Sequence, residues 1–465
     1  MAIQGTRALV ATAIAIVLAS SSLAGCSAKP REEAAPARVS APAPAPSSDE
    51  PFGPPPPPPL DRPLRVIIGG DMLPHRPSLA APAAIRAALA PLAPLFAKAD
   101  AVVANYEAST GEVVDRPIKP GENWKAVRLV YAGSPAWLEE LPKAGLRAVT
   151  VANNHACDLG DSGLSATLDA TAKSGLVALG ADASDPWAPR AIVEAGGKRI
   201  CAVAWTTLVN SQSSCARSRR LAVAHLTNSG KQRLDRAFAA ARARCDATIG
   251  IFHAGDEYAP QTRDALDQAA HAAEAGADAV VIHHPHIASP VVIHVTKDGR
   301  KVPLFASVGN LVTNQGESWK PPMFPVLRED RHLVCVNGWT RLGVLADLSF
   351  TFGASGDRRP RLDWGTHLVW IDNEHADDRK VAVPKIAARL LEPSRDRAIL
   401  DKLSEDARGP LALFSDPCWF EREGADPGAA RDARCTTPAG ALPGAVAEVR
   451  VAGRALKRAT PRRKK

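Results

Sequence analysis

Three of the chain's twelve histidines fall within four residues, in HHPH (283–286), directly after the apolar run AVVI (279–282). Imidazole nitrogen suits zinc, manganese or iron, and carboxylate or amide oxygen suits harder cations. Residues two apart in extended chain point the same way, about 7 Å from one another. His284 and His286 can therefore reach one ion or two adjacent ones. Pro285 has no N–H to give a ladder, so the tripeptide reads as a rigid loop beyond a strand. Other short apolar runs end in the same way. RVIIGG (65–70) leads to Asp71, and AVVAN (101–105) to Asn105 and Glu107. RAVTVAN (147–153) leads to Asn153, Asn154, His155 and Asp158, and ATIGIF (247–252) to His253, Asp256 and Glu257. Each residue has a plainer reading: Asp71 caps a helix or shapes a turn, Asn153 satisfies backbone groups, and His283 packs away from any site. Five such strand ends in order favour a metal-capable site. Mixed His/Asp/Glu/Asn sets are typical of paired ions about 3.5–4 Å apart, which bridge a phosphate or a hydroxide.

The elements that would position these residues are legible as alternating patterns. Strands are expected at 65–70, 101–105, 147–153, 199–206, 247–253, 279–283, 291–295 and 303–309. Helices are expected near 82–98, 134–144, 162–174, 230–243 and 262–275. This alternation predicts an α/β layered domain, and ligands of such sheets gather beyond the carboxyl ends of strands. Several runs are apolar throughout, as strands covered on both faces are. RLGVLADLSF (341–350) and THLVWID (366–372) read as antiparallel strands completing the same domain. GDSGL (160–164) superficially matches a serine-nucleophile motif, but it follows NNHACDL and reads as a helix start capped by Asp161 or Ser162. No Walker-type phosphate loop is present.

The blocks GGDMLP, VVANYEAST, VTVANNHACDLGDSGLSATL, GIFHAGDEY, AGADAVVIHHPHI and FASVGNLV occur in that order over about residues 64–316. In this succession the chain resembles the CapA family of bacterial capsule or poly-γ-glutamate synthesis proteins, relatives of the calcineurin-like metallophosphoesterases. The resemblance implies an α-β-β-α sandwich with a site for two divalent ions (Mn, Fe, Zn or Mg). It implies Asp71 and His286 on the first ion, Glu107 bridging, and Asn154, His253 and His284 on the second. His155 would act on the substrate as acid or oxyanion stabiliser, with Asp158 orienting it, and Glu257 matches a further family acid. Departures are Leu73 where phosphoesterases have a histidine, with His75 out of register, and Ala254, Ile282 and Leu311 beside the motifs. The expected activity is hydrolysis of a phosphoester. The alternative is a non-catalytic protein that holds an anionic surface polymer such as poly-γ-glutamate.

The ends are expected to be non-globular. Residues 1–26 read as a lipoprotein signal: Arg7, the apolar stretch ALVATAIAIVLA (8–19), and the lipobox LAGC ending in Cys26, the expected lipidation site. Residues 27–63, rich in Ala and Pro, read as a disordered tether. The CapA-like domain is placed at 64–390, an irregular extension at 391–449 and a basic, disordered tail at 450–465. That tail's eight Lys and Arg account for the whole formal charge of +8, so the basic balance says nothing about the body. The expected location is the cell envelope, lipid-anchored on the periplasmic face of the outer membrane. Expected partners are that membrane and an anionic surface polymer or phosphorylated substrate, not nucleic acid. Among the cysteines, Cys215–Cys245 and Cys418–Cys435 are candidate bridges, and Cys157 and Cys201 are expected as free thiols.

Overall fold

A computed structural model describes residues 60–74, 79, 81–112, 130–210, 215, 218–259, 263–321, 323, 336–353, 359–373, 386–392 and 394–404. Cys26, the tether, His75, Cys418, Cys435 and the basic tail lie outside them. Strand and helix alternate as the sequence predicts. The first half contains β1 (Leu64–Met72), α1 (Pro82–Leu89), α2 (Ala93–Phe96), β2 (Ala101–Tyr106), β3 (Ser109–Thr110), β4 (Ala132–Gly133), α3 (Pro135–Glu140), β5 (Ala148–Thr150), α4 (Gly160–Lys173) and β6 (Val177–Leu179). Next come β7 (Arg190–Ala195), β8 (Lys198–Thr206), α5 (Asn228–Arg244), β9 (Ala247–His253), α6 (Arg263–Ala275), β10 (Ala279–His283), β11 (Ala288–Val295), β12 (Lys301–Val308) and β13 (Asn310–Val312). The chain then adds β14 (Leu342–Thr351), β15 (Arg361–Asn373), β16 (Ile386–Leu390) and α7 (Arg397–Ser404).

Apart from the small parallel pair β3-β4, these strands build two mixed sheets. The first runs β16-β15-β14-β1-β2-β5-β6, with β13 also pairing β1; the second runs β11-β12-β10-β9-β8-β7. β1, β2, β5 and β6 are parallel, while β14, β15 and β16 complete the sheet antiparallel. In the second sheet β8, β9, β10 and β12 are parallel, with antiparallel β7 and β11 at the edges.

Alternation along the strands sorts side chains into layers. Val66, Ile68, Val103, Val344 and Trp370 of the first sheet share one core with Ile200, Ile249, Val281 and Phe305 of the second. The intervening residues Ile67, Val102, Val149 and Val369 face the other way, onto Ile85, Leu89, Trp137 and Leu164 from helices. On the second sheet, Val203, Trp205, Phe252 and Ile282 pack with Leu234, Phe238, Ala269 and Ala273 of α5 and α6. Trp205 stacks on Phe252 with centroids 4.6 Å apart. The result is the α-β-β-α sandwich. No helix among the described residues is long and apolar enough to cross a membrane.

Two sequence expectations are corrected. Cys157 and Cys201 are not free, and Cys215 does not pair with Cys245: among the described residues the disulfides are Cys157–Cys215 and Cys201–Cys245, with Cα separations of 5.7 and 6.0 Å. The reason lies in register. Cys201 of β8 is opposite Thr248 of β9, and α5 delivers Cys245 just before β9 begins. Apolar surroundings, which suggested inert thiols, are also where a bridge between packed elements sits. Nor do Asp161 and Ser162 cap α4. Its N-cap is Leu159 with no side-chain cap, and Ser162 Oγ donates to the Leu159 carbonyl instead.

Candidate metal centre

The parallel strands of both sheets bring their carboxyl ends to one rim. Asp71 is the penultimate residue of β1, flanked in register by Asn105 of β2 and Asn310 of β13. Glu107 follows β2, held by its own N–H to the Met72 carbonyl at 3.0 Å. His253 and His283 are register partners at the ends of β9 and β10. Beyond β10 the chain turns sharply: His284 and His286 adopt φ of 101° and 60°, in the left-handed region that side chains other than glycine's resist. That bend separates the three imidazoles. His283 turns away and meets the Gly69 carbonyl through Nε2 at 2.9 Å, while His284 and His286 turn inward.

Asp71, Glu107, Asn154, His253, His284 and His286 converge. Glu107, His284 and His286 offer three ligand atoms within 4.8 Å of one another, and Asp71, Glu107 and His253 offer a second such set. Glu107 is common to both, in the position the resemblance implies for a bridge. The division of histidines is less clear-cut than the resemblance implies. His286 approaches Asp71 through Nδ1 at 3.3 Å. His284 Nδ1 lies 3.1 Å from His253 Nε2, which in turn meets Asn154 Oδ1 at 2.9 Å. His284 thus belongs equally with His253 and with His286.

Electrostatics favour a cation here. Glu107 is fully buried and neither carboxylate oxygen has a hydrogen-bond partner. An unsatisfied buried polar group costs about 1–3 kcal/mol, and a charged one more. Burial pushes the Glu107 carboxyl well above its usual range, against the pull of His286, and Asp71, Glu257 and Asp158 add to the rise. For His286 burial works downward, but Glu107 and Asp71 raise it to about 10. Burial also opposes ionisation of Asp71, yet the His286 hydrogen bond and nearby imidazoles hold it below the carboxylate range. Burial, helped by His284, pushes His253 well down; burial and His286 bring His284 to about 4. Both are therefore neutral at pH 7 with lone pairs to give, which is the form a metal ligand needs.

A second group stands beside the first. His155 Nδ1 meets Asp158 Oδ2 at 2.6 Å, and that oxygen also accepts the Tyr131 N–H at 2.8 Å. The Tyr131 ring stacks on His155 with centroids 4.0 Å apart. Asn210 Nδ2 lies 3.4 Å from His155 Nε2, and its backbone N–H bonds the Asn154 carbonyl at 2.9 Å. Asn153 bridges backbone, donating to the Tyr106 carbonyl and accepting from His155 N–H. Asp256 and Glu257 belong to neither ligand set, and Leu73 is buried with its N–H on the Val312 carbonyl.

Sequence reasoning singled out neither Tyr131 nor Asn210 nor Asn310. Tyr131 and Asn210 stand in irregular chain with no pattern to mark them. Asn310 did carry a signal, a Gly-Asn step directly after a strand, as Asp71 follows Gly69-Gly70.

These buried groups, at the rim of an α-β-β-α sandwich, could hold metal ions. The family model described as bacterial capsule synthesis protein PGA_cap matches residues 65–315, more than half of the chain, and the chain belongs to that family. It is 27% identical over 228 residues to the PGA biosynthesis protein CapA of Bacillus subtilis (strain 168). That overlap covers 48% of this chain and 56% of the relative, so the chain spans little more than half the relative's length. Among solved structures, "GAP50 the anchor in the inner membrane complex of Plasmodium" aligns over 71% of this chain and 90% of that one, at 10% identity and a TM-score of 0.30. A score so low equates neither fold nor function.

Proposed function

We propose that the protein is an exported, lipid-anchored, metal-dependent hydrolase of capsule or cell-surface polymer synthesis, acting on a phosphoester. The observation that carries this reading is Glu107, a buried carboxylate with both oxygens unpartnered, shared by two sets of convergent ligand atoms. The residues fit a pair of divalent ions: Asp71, Glu107, Asn154, His253, His284 and His286 would hold them. Bound there, the ions would supply Lewis acidity and a water acidic enough to serve as nucleophile near neutral pH. The chain's own groups do the rest. Asp158, an acceptor, holds the proton on His155 Nδ1 and turns Nε2 toward the substrate side. When Nε2 carries a proton as well, the Asp158 carboxylate balances the ring's positive charge, and Nε2–H can steady a developing oxyanion or pass that proton to the leaving oxygen. Tyr131 fixes the ring's plane, and the closed, water-poor surroundings strengthen each polar contact. Cys26 would anchor the chain at the envelope, with an anionic surface polymer or its phosphorylated precursor as partner.

The test is elemental analysis of the purified full chain together with turnover of p-nitrophenyl phosphate. About two equivalents of transition metal, and cleavage abolished in His253→Ala, are expected. Full activity in that variant refutes the reading. A second reading, a non-catalytic holder of a polymer such as poly-γ-glutamate, draws on depth: all eight candidate site residues are at most 6% exposed. Polymer binding that survives chelation, without turnover, would select it.

A further inference from the structure

Asn310, on β13 beside Asp71 of β1, is buried, and all of its side chain is engaged. Nδ2, with two N–H groups to give, faces three carbonyl-type oxygens: His286 O at 3.2 Å, Gln315 Oε1 at 3.0 Å and Thr340 O at 2.9 Å. Oδ1 lies 3.0 Å from His286 Nδ1. An amide's two ends are told apart by such a network. Reversed, this one would press its oxygen against three acceptors and forfeit all three bonds. The oxygen end therefore faces His286. An oxygen there can only accept, as can Asp71 Oδ2 at 3.3 Å from the same nitrogen, so His286 Nδ1 carries the proton and shares it between the two, with Asn310 the nearer. The other ring nitrogen, Nε2, points to Glu107 Oε1 at 3.6 Å.

We propose that Asn310 is the positioning residue of His286: it holds the proton on Nδ1, fixes the ring plane, and leaves Nε2 as the ligand nitrogen. Asn310 also binds the carbonyl of the same histidine, so one side chain grips both the ring and the left-handed backbone of His286 (φ 60°). The fold reserves the space for it. Added Cβ atoms would fall 2.1 Å from Gly309 O at Gly70 and 2.0 Å from Asn310 O at Gly343, both backbone atoms. Only glycines at these two positions let the Gly309–Asn310 peptide lie against β1 and β14.

This inference rests on the metal-centre reading. Groups that orient a ligating histidine are worth about 10–100-fold in metal affinity. The experiment is zinc titration of the full chain, with nitrogen NMR of the ¹⁵N-histidine-labelled, zinc-loaded protein. In the wild type, His286 is expected to show a protonated Nδ1 and a zinc-bound Nε2. Asn310→Ala is expected to weaken zinc binding about 10–100-fold. Asn310→Asp, which keeps an acceptor toward Nδ1 but loses the donor end, is expected to lose less. A role confined to packing predicts the reverse order, since Asp sets a carboxylate against three acceptors. A zinc-bound Nδ1 in the wild type, or equal affinity in Asn310→Ala, overturns the assignment while leaving the metal centre standing. A wild type that binds no zinc, manganese or iron removes the centre itself and this inference with it. Should Asn310→Ala fail to fold, the wild-type spectrum and the Asp variant still decide.

Discussion

Removing the Cys157–Cys215 bridge tests whether the His155 loop is held from outside its own sequence. Cys157 stands between His155 and Asp158. Cys215 lies in the segment that brings Asn210 to the His155 ring. The cysteines are 58 residues apart, and closing a loop of that length removes about 14 cal/mol/K from the unfolded chain, or about 4 kcal/mol at 25 °C. At about 2.1 cal/mol/K of unfolding entropy per residue, a domain of about 300 residues should lose about 6 °C in Tm. The Cys201–Cys245 bridge is the internal control, because its separation of 44 residues also predicts about 4 kcal/mol. Cys201, however, lies five residues before Thr206 on β8, about 16 Å from the rim. Paired Cys→Ala variants of each bridge should therefore show similar losses in calorimetry. Only Cys157→Ala/Cys215→Ala should also lower p-nitrophenyl phosphate turnover at saturating metal. A Tm loss under about 2 °C, or equal loss of turnover in both double variants, would refute the reasoning.

Glu107→Gln keeps the shape and removes the shared anion; metal affinity by titration should fall at least as far as the ~10–100-fold that loss of a supporting residue costs. Asp347 of β14 opposes burial with hydrogen bonds from Arg65 of β1 and His367 of β15, which bring it down to about 2. A depressed carboxylate stabilises the fold above its unfolded pKa of 3.8 and loses that contribution as pH falls through 2. The shift amounts to about 2 kcal/mol, so Asp347→Asn should be less stable than wild type by about that amount at pH 7 in urea unfolding. The difference should close on acidification below pH 3.8; a difference independent of pH would contradict the linkage.

The layered fold was legible because its strands are short, apolar and regularly interrupted. β9 and β10 begin and end where the sequence predicts, and β8 starts within a residue. The two-residue β3 and β4 and the half-exposed β7 carried no such period and passed unnoticed. The six ligand candidates were legible as polar residues at strand ends, since a strand's carboxyl end is a place the sequence marks. Long-range pairing was not. Cys157 finds Cys215, and His155 finds Tyr131 and Asn210, only through tertiary packing between irregular segments. Asn310 was hidden for a different reason: its importance lies in which end of its amide faces His286, and that depends on Gln315 and Thr340.

The donors of the cage are drawn from positions 71 to 286, on both sheets and across the shared core. In small zinc modules the ligands are neighbours in sequence and the ion can nucleate the fold. Here no short stretch of chain assembles a complete set. An ion held by these donors could therefore bind tightly only after the two sheets have docked, and would arrive as the last component. Its affinity becomes a gauge of finished tertiary structure, and a partly folded chain would let the ion go.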